Sequence, residues 1–146
     1  GEWEFETYFY EMSKKFPMQV AYKTGFIPSL ARKIYAGADI FLMPSQSEPC
    51  GLAQMISLRY GTIPIVRSTG GLNDTITDSG DGKGNGFVFA SYNAHDMAHT
   101  VYRAVEGFKN TEGWEILVKR ALECDNSWNN SAGSYIKLYK ELASKQ

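Results

Sequence analysis

The sequence predicts an α/β fold in which helices flank a parallel sheet. Four short apolar segments of strand type lie at residues 18–22, 40–43, 63–66 and 87–90, and segments with apolar residues at helical spacing separate them. Strands that alternate with helices along a chain form parallel, doubly wound sheets. Because ligands of such sheets bind beyond the carboxyl ends of the strands, a functional site is expected in the loops that follow these segments.

The first 35 residues are predicted to form two helices and one strand. Apolar positions at helical spacing predict an amphipathic helix over residues 2–16. The strand at 18–22 follows, and Pro28, which suits the first turn of a helix, opens a helix over 29–35. The apolar face of the first helix is expected to consist of Phe5, Phe9 and Met12.

The middle of the chain is predicted to hold two strand–turn–helix motifs. In the first motif, the strand at 40–43 leads into a helix over 51–60. In the second motif, the strand at 63–66 leads into a tight glycine turn and a short helix over 72–76. The apolar positions that predict the first of these helices are Leu52, Met55, Ile56 and Tyr60, and the glycines of the turn are Gly70 and Gly71.

The last third of the chain is predicted to contain a loop, a strand and three helices. Residues 78–85 have the glycine- and aspartate-rich composition of a flexible surface loop, which the strand at 87–90 follows. Asn93 and Asp96 have the spacing of a helix cap, with a carboxylate in place of the usual Glu or Gln. The final helix is expected from about residue 131 to 145. The residues of the capped helix predicted to face the core are Met97, Val101, Ala104 and Phe108.

The composition fits a single domain with a hydrophobic core. Of the 146 residues, 43% are hydrophobic, which suits one core. Lys and Arg number 15 and Asp and Glu number 16, so no basic surface for nucleic acid is expected. No apolar run is long enough to span a membrane. Cys50 and Cys124 lack metal-type spacing and are interpreted as free thiols of a reducing compartment.

One strand-to-helix turn carries the strongest chemical signal in the chain. Residues 48–52 read Glu-Pro-Cys-Gly-Leu and lie between the strand at 40–43 and the next helix. Gly51 would let a ligand approach the backbone closely, and the free N–H groups at the helix start suit a phosphate, with the Glu48 carboxylate beside it. An equally good account of the turn alone is that Pro49 and Gly51 only shape it, while Glu48 interacts favourably with the helix dipole.

Short segments that run in order over nearly the whole chain carry a family resemblance. They lie at residues 36–45, 48–52, 59–66, 69–72, 86–89, 127–128 and 135–139. The most specific of them, Glu-Pro-Cys-Gly-Leu at 48–52 and Thr-Gly-Gly-Leu at 69–72, closely resemble the motifs of the bacterial glycogen synthases and plant starch synthases. The resemblance implies the GT-B fold, which has two Rossmann-like domains with the active site in the cleft between them.

The resemblance also implies how this chain relates to that fold. Residues 1–146 would be a partial C-terminal domain that binds the nucleotide-sugar donor and lacks its N-terminal part. The final helix, from about 129 to 146, would cross to the other domain. That other domain would hold most of the acceptor, and an Arg and a Lys that clamp the diphosphate would precede Gly1. The chain alone is therefore expected to be inactive.

The activity implied by the resemblance is retaining transfer of glucose from ADP-glucose to the non-reducing end of an α-1,4-glucan. The partners would be ADP-glucose or ADP and the glucan, without nucleic acid, membrane or cofactor. The location would be the bacterial cytoplasm, or a plastid if the source is a plant. Two alternatives stay open: another GT-B transferase that uses UDP-glucose, and a non-catalytic paralogue that binds a glucan or a partner.

The family motifs imply roles for particular residues. Glu48 would be catalytic, lying beside the donor glucose and stabilising positive charge on its ring. Phe26 would stack on the adenine, although a core Phe after a strand is the alternative reading of the residue alone. Thr69 and Gly70 would face the sugar, while Gly71 is open to that role and to a purely structural one. The backbone donors to the phosphates would be those of Cys50, Gly51, Leu52 and Ala53.

Four other residues near these motifs receive weaker assignments. Many relatives of the fold carry a second Glu eight residues beyond the first, where this chain has Ile56, which leaves ribose recognition unassigned. Gln54 is expected to be a solvent-facing helical residue rather than a donor contact. Arg59 and Arg67 are expected to form surface ion pairs rather than to contact phosphate.

His95 and His99 form a pattern close to a metalloprotease helix but predict no metal site. Their i, i+4 spacing places both rings on one helix face. An Asp replaces the Glu of that pattern, no third ligand is evident, and the face lies opposite the apolar stripe of Met97 and Val101. No bound metal is therefore expected.

Overall fold

The computed structural model describes residues 2–144. The described chain divides into two compact units, one that ends at Arg32 and one that begins at Lys33. Each unit has its own element content: the first is helix and irregular chain, and the second holds the sheet. In the described part of the chain, no helix is long and apolar enough to cross a membrane.

The first unit contains helix α1 (Trp3–Lys15) and the beginning of helix α2 (Pro28–Gly37). Both helices were predicted, but the strand at 18–22 was not found: these residues form a turn and irregular backbone. Met18 has a positive φ of 69°, which is incompatible with a strand. The backbone N–H groups of Gln19 and Val20 bond back to the Phe16 carbonyl at 3.2 and 3.0 Å, so they close a turn instead of joining a ladder.

The apolar face predicted for α1 is largely exposed. Phe5 and Phe9 are 58% and 52% exposed, and no residue of α1 is buried. The helical periodicity was therefore interpreted correctly as a helix, but its apolar stripe is not covered among the described residues.

The second unit is built on a parallel sheet of three strands, β1 (Ile40–Met43), β2 (Ile63–Arg67) and β3 (Phe87–Phe89). The strands lie side by side in that order, with Ile40 opposite Ile63 and Ile65 opposite Phe87. The predicted α/β fold class is confirmed, and the three strands of this unit lie within one residue of their predicted bounds.

Helices follow each strand, as a parallel sheet requires. The remaining helices of the unit are α3 (Ala53–Tyr60), α4 (Gly70–Thr75), α5 (Ala94–Lys109), α6 (Thr111–Glu123) and α7 (Trp128–Ala143), with a short 3₁₀ turn at Ser79–Asp81. Helix α3 begins two residues later than predicted, because residues 48–52 remain a loop, and α4 begins two residues earlier.

The core lies on and around the central strand β2, whose residues Ile63, Ile65 and Val66 are fully buried. A central parallel strand is covered on both faces, which explains its continuous apolar sequence. Trp114 of α6 extends the core, with its ring 6.4 Å from that of Phe87 in a stacked arrangement. The other buried apolar residues include Leu58, Leu72, Ile76, Phe89, Ala104, Leu117 and Ala121.

Helix α5 begins with the predicted cap, in a modified form. The Asn93 side chain accepts a hydrogen bond from the Asp96 N–H at 2.9 Å. The Asp96 carboxylate does not return to Asn93 but accepts from Ala90 and Ser91 N–H groups at 3.0 and 2.7 Å. It thereby joins the end of β3 to the helix. Of the four predicted core residues, Ala104 is buried, Met97 and Val101 pack partly buried against the core, and Phe108 is 44% exposed.

The loop after α4 was predicted to be flexible from its composition, but it is anchored. The Asp78 carboxylate accepts hydrogen bonds from Arg103 of α5 at 3.1 and 2.7 Å, from the Val88 N–H at 2.7 Å and from the Gly80 N–H at 2.8 Å. Burial acts to raise the pKa of Asp78, but these hydrogen bonds and the Arg103 charge outweigh it and hold that pKa below its ordinary value.

Replacement of Asp78 by asparagine is expected to lower the free energy of unfolding by about 1 kcal/mol at pH 7, since the pair is partly exposed. Because the folded pKa lies below the ordinary 3.8, this contribution is complete above pH ~4 and is lost as pH falls through the folded pKa. Urea unfolding across that range measures it. Asp81→Asn in the same loop is the control. If the difference in unfolding free energy between wild type and Asp78→Asn grew towards low pH, the lowered pKa of Asp78 would be contradicted.

Helix α7 has no buried residue. It begins three residues earlier than predicted, because Ser127 caps it by accepting from the Asn130 N–H at 3.4 Å. The predicted end at Lys145 lies outside the described residues. Apolar side chains of α7 that are about half exposed or more are Trp128, Tyr135, Ile136, Leu138, Tyr139 and Leu142.

Candidate functional site

The loops that follow β1 and β2 meet at the carboxyl edge of the sheet. The Gly71 N–H at the start of α4 donates to the carbonyl oxygens of Glu48 and Pro49 at 3.1 and 3.2 Å. The structure thus brings together the Glu48 turn and the Thr69–Gly70 turn, as expected for a parallel sheet. Two motifs about 20 residues apart in sequence become one surface.

Close backbone contact between these loops requires glycine. A Cβ at Gly71 would lie 2.7 Å from the Cα of Cys50, which real Cβ atoms do not tolerate. Gly70 has a φ of +45°, and its Cβ would lie 3.0 Å from the carbonyl carbon of Glu48. Gly71 is buried, which supports its structural role, and Gly70 is exposed at the surface of the site.

The Glu48 side chain lies at this surface, and its carboxylate has no partner among residues 2–144. The side chain is of intermediate exposure. Among residues 2–144, no hydrogen bond or ion pair engages its carboxylate oxygens. Its backbone is fixed by the bond from Gly71, which holds the residue at this surface while both carboxylate oxygens remain able to accept hydrogen bonds from a ligand.

The start of α3 lies directly after Glu48 and has no side-chain cap. Its capping position is Leu52, whose side chain cannot accept a hydrogen bond and is 68% exposed. The first N–H groups of a helix have no partner within the helix, and they carry the positive end of its dipole. Gly51 precedes them at a φ of +71°. Cys50 is exposed, Ala53 is partly buried and Gly51, which was expected to let a ligand approach closely, is buried. This arrangement can bind an anion.

Arg67 fixes the loop between β1 and Glu48 instead of forming the predicted surface ion pair. Its Nε donates to the Ser45 carbonyl at 2.9 Å, and its guanidinium also donates to the Gln46 carbonyl. The guanidinium carbon lies 5.5 Å from the centre of the Tyr92 ring. Both carbonyls belong to the loop, so Arg67 acts on the backbone of the site.

Gln54 was predicted to face solvent, and this was wrong: it is fully buried. The buried face of α3 consists of Gln54, Ser57 and Leu58. Of the apolar residues that predicted the helix, Leu52, Ile56 and Tyr60 are instead 68%, 41% and 41% exposed. The spacing of Gln54 and Leu58, four residues apart on one helix face, was the available sequence signal.

The exposed side of α3 lines a cleft of about 680 Å³. Its other wall is the segment that joins α6 to α7, which contributes Cys124, Asp125 and Ser127. Hydrogen bonds from Ser127 lower the pKa of Asp125, with a smaller contribution from the Arg59 charge. Ile56, where many relatives of the fold have a second Glu, lies in this cleft. Cys50 and Cys124 are both free thiols.

Phe26 lies in the first unit and is 95% exposed. It follows Gly25, whose φ is +98°. The alternative reading as a core Phe after a strand is wrong, because the strand is absent and the ring is not buried.

The two histidines of α5, His95 and His99, are exposed. Residues 2–144 contain no cluster of three or more His, Cys, Asp or Glu side chains that could hold a metal ion.

Comparison with known proteins finds a family model and curated relatives that match this chain. The family model described as "Glycosyl transferases group 1" matches residues 1–115. The glycogen synthase of Bacillus anthracis is 54% identical over 144 residues, which is 97% of this chain and 30% of that protein. The glycogen synthase of Geobacillus thermodenitrificans is 51% identical over 148 residues, which is 100% of this chain and 30% of that protein. The chain therefore spans about 30% of the length of these curated relatives.

Solved structures show the same fold. The catalytic domain of starch synthase IV from Arabidopsis thaliana, solved bound to ADP and acarbose, matches 94% of this chain and 30% of its own with a TM-score of 0.82 and 37% identity. The sucrose-phosphate synthase of Thermosynechococcus elongatus matches 94% of this chain and 34% of its own with a TM-score of 0.62 and 19% identity, a likeness of fold alone.

Proposed function

Because the chain belongs to the family of group 1 glycosyl transferases, we propose that it is the donor-binding part of a retaining glucosyltransferase. The full-length protein would transfer glucose from ADP-glucose to the non-reducing end of an α-1,4-glucan, as a glycogen or starch synthase does. The observation that carries this proposal is that Glu48, whose backbone is bonded to Gly71 and whose carboxylate has no partner among residues 2–144, lies just before the uncapped start of α3 at one sheet edge.

The diphosphate of the donor would bind at the start of α3. Its oxygens would accept hydrogen bonds from the backbone N–H groups of Cys50, Gly51, Leu52 and Ala53. As the bond between the sugar and the diphosphate breaks, negative charge builds on the leaving group, and fixed donors stabilise it without reorganising. Loss of one such donor costs on the order of 3 kcal/mol in other enzymes.

The glucose of the donor would lie between the Thr69–Gly70 turn and Glu48. The Glu48 carboxylate would accept a hydrogen bond from a sugar hydroxyl and stabilise the positive charge that develops on the ring. The close backbone approach at Gly70 and Gly71 supports this placement, because it holds this turn directly against the Glu48 turn with no intervening side chain.

Phe26 would stack on the base of the donor. Its exposure supports this proposal, since an exposed ring has a free face. A base on an aromatic face is worth roughly 1–3 kcal/mol in other systems. Stacking does not distinguish adenine from uracil, so the choice of ADP-glucose over UDP-glucose rests on the relatives.

The acceptor glucan would bind mainly to another domain of the full-length protein, and the residues from about 129 onwards would cross to that domain. The exposed apolar side chains of α7 support this second proposal, because they would be covered there. The protein would act in the bacterial cytoplasm, or in a plastid if its source is a plant.

Titration of ADP and then UDP into the isotopically labelled chain tests the proposal. Binding is expected to be weak, about millimolar or ~4 kcal/mol, because these residues would supply only part of the proposed donor site. Backbone amide shifts should centre on Phe26 and on residues 50–53, and should be larger for ADP. Equal responses to both nucleotides would leave the site in place but remove the preference for ADP. No response at several millimolar would mean that groups outside these residues are indispensable for binding, or that this module does not bind the donor.

A further inference from the structure

Gln54, in the first turn of α3, is fully buried beneath the proposed phosphate site. Its amide nitrogen Nε2 lies 2.9 Å from the Gly51 carbonyl oxygen, 3.3 Å from that of Cys50 and 3.1 Å from the Thr75 hydroxyl oxygen. The two carbonyl oxygens only accept, and the Thr75 hydroxyl donates to the Gly71 carbonyl at 2.8 Å. The group facing all three must therefore be the NH₂ end of the amide.

These contacts determine the direction of two backbone N–H groups. The Cys50 carbonyl belongs to the same peptide unit as the Gly51 N–H, and the Gly51 carbonyl to the same unit as the Leu52 N–H. All described peptide bonds are trans, so the C=O and N–H of each unit point in opposite directions. Because Gln54 holds both carbonyl oxygens towards the interior, the N–H groups of Gly51 and Leu52 are directed away from it.

Gln54 also connects this turn to the second loop of the site. Thr75 accepts from Gln54 and donates to the Gly71 carbonyl, while the Gly71 N–H donates to the Glu48 carbonyl. A continuous hydrogen-bonded path thus joins the start of α3, helix α4 and the backbone of Glu48. Gln54 packs directly against this turn: Gly51 has a φ of +71°, and a Cβ there would lie 2.5 Å from the Gln54 Oε1.

We propose that Gln54 is a positioning residue for the donor: without touching the ligand, it directs the Gly51 and Leu52 N–H groups towards the diphosphate. This inference rests on the proposed function. A buried amide that pre-orients backbone donors keeps the site from having to reorganise when the phosphates bind.

The test compares ADP with adenosine as ligands of the full-length protein. Gln54→Met keeps the length and approximate volume of the side chain but has no N–H to donate. We expect the Kd for ADP to rise about tenfold or more, whereas the Kd for adenosine, which has no phosphate, stays within about twofold of wild type. Isothermal titration measures both constants.

Ser57→Ala is the matched control. Ser57 is also a fully buried polar residue of α3, but its hydroxyl donates to the Gln54 carbonyl at 2.8 Å and forms no hydrogen bond with either loop of the site in the described chain. We expect Ser57→Ala to leave both constants near wild type. Thr75→Val, which removes one acceptor of the Gln54 amide, should weaken the binding of ADP but not of adenosine, and by less than Gln54→Met does. Thr75→Ser should restore wild-type binding.

The outcomes separate this inference from the proposed function. If wild type does not bind ADP, the proposed function fails and this inference fails with it. If wild type binds ADP but Gln54→Met weakens ADP and adenosine alike, or weakens neither, only the positioning role is overturned. If Gln54→Met does not fold, the comparison of Thr75→Val with Thr75→Ser decides. A selective loss of ADP affinity in Thr75→Val alone supports the positioning role. Equal ADP and adenosine affinities in the two variants overturn it.

Discussion

Replacement of Glu48 by glutamine is expected to lower kcat for glucosyl transfer by about 1,000-fold, or ~4 kcal/mol of transition-state stabilisation. Glutamine keeps the size of the side chain but removes the negative charge that we propose stabilises the sugar ring as the nucleotide leaves. That charge matters mainly in the transition state, so the Kd for ADP should change by no more than about twofold. The measurement combines steady-state kinetics of the full-length protein on ADP-glucose and a glucan with ADP titration.

Glu115→Gln is the matched control for this prediction. Glu115 is an exposed glutamate of α6, and no hydrogen bond or ion pair joins its side chain to either loop among residues 2–144. The Glu115→Gln substitution removes the same charge, and we expect the kcat of this variant to equal that of wild type. A Glu48→Gln protein with more than about a tenth of wild-type kcat would show that the carboxylate is not catalytic.

Replacement of Gly71 by alanine is expected to lower the free energy of unfolding by about 2–3 kcal/mol and to abolish detectable ADP binding. Gly71 has no positive φ, so the cost arises from contact alone: the new Cβ would lie 2.7 Å from the Cα of Cys50. Relief of that contact requires the Glu48–Cys50 turn to move away from α4. The hydrogen bonds from the Gly71 N–H to the Glu48 and Pro49 carbonyls would then lengthen, and the start of α3 would shift. Urea unfolding and ADP titration measure the two effects.

Gly133→Ala is the control for the same substitution. Gly133 lies within α7 and a Cβ there meets no atom within 4 Å. Alanine favours a helix over glycine, so this variant should be as stable as wild type or more stable, by up to about 1 kcal/mol. Equal stability of Gly71→Ala and Gly133→Ala would mean that the contact between the two loops is dispensable.

Local sequence was sufficient for the elements whose signal is local. The apolar run of β2 predicted a buried strand, and the Asn93 cap predicted the start of α5. The strand at 18–22 failed because its apolar composition was compatible with a strand, while Met18 adopts a positive φ and the next N–H groups close a turn on Phe16. Apolar composition does not distinguish a strand from a turn that ends a helix.

Long-range partners could not be predicted from the sequence. Residues 78–85 have the composition of a mobile loop, yet Asp78 is held by Arg103, which lies 25 residues further along the chain. Gln54 is a polar residue that a helix would normally expose, yet its amide bonds reach Thr75 in a different helix. In both cases the partner that makes burial of a polar group favourable is contributed by another element.

The sequence by itself determined the α/β class, the order of strands and helices in the second unit, and the motif that places Glu48 at a strand end. These properties follow from hydrophobic periodicity and turn residues, which act over a few residues. Only the tertiary structure decided that Gly71 holds the Glu48 turn, that Arg67 bonds to its loop, and that Gln54 lies beneath the start of α3. These contacts arise because parallel strands bring distant loops to one edge of the sheet, where backbone carbonyls must find donors wherever the fold supplies them.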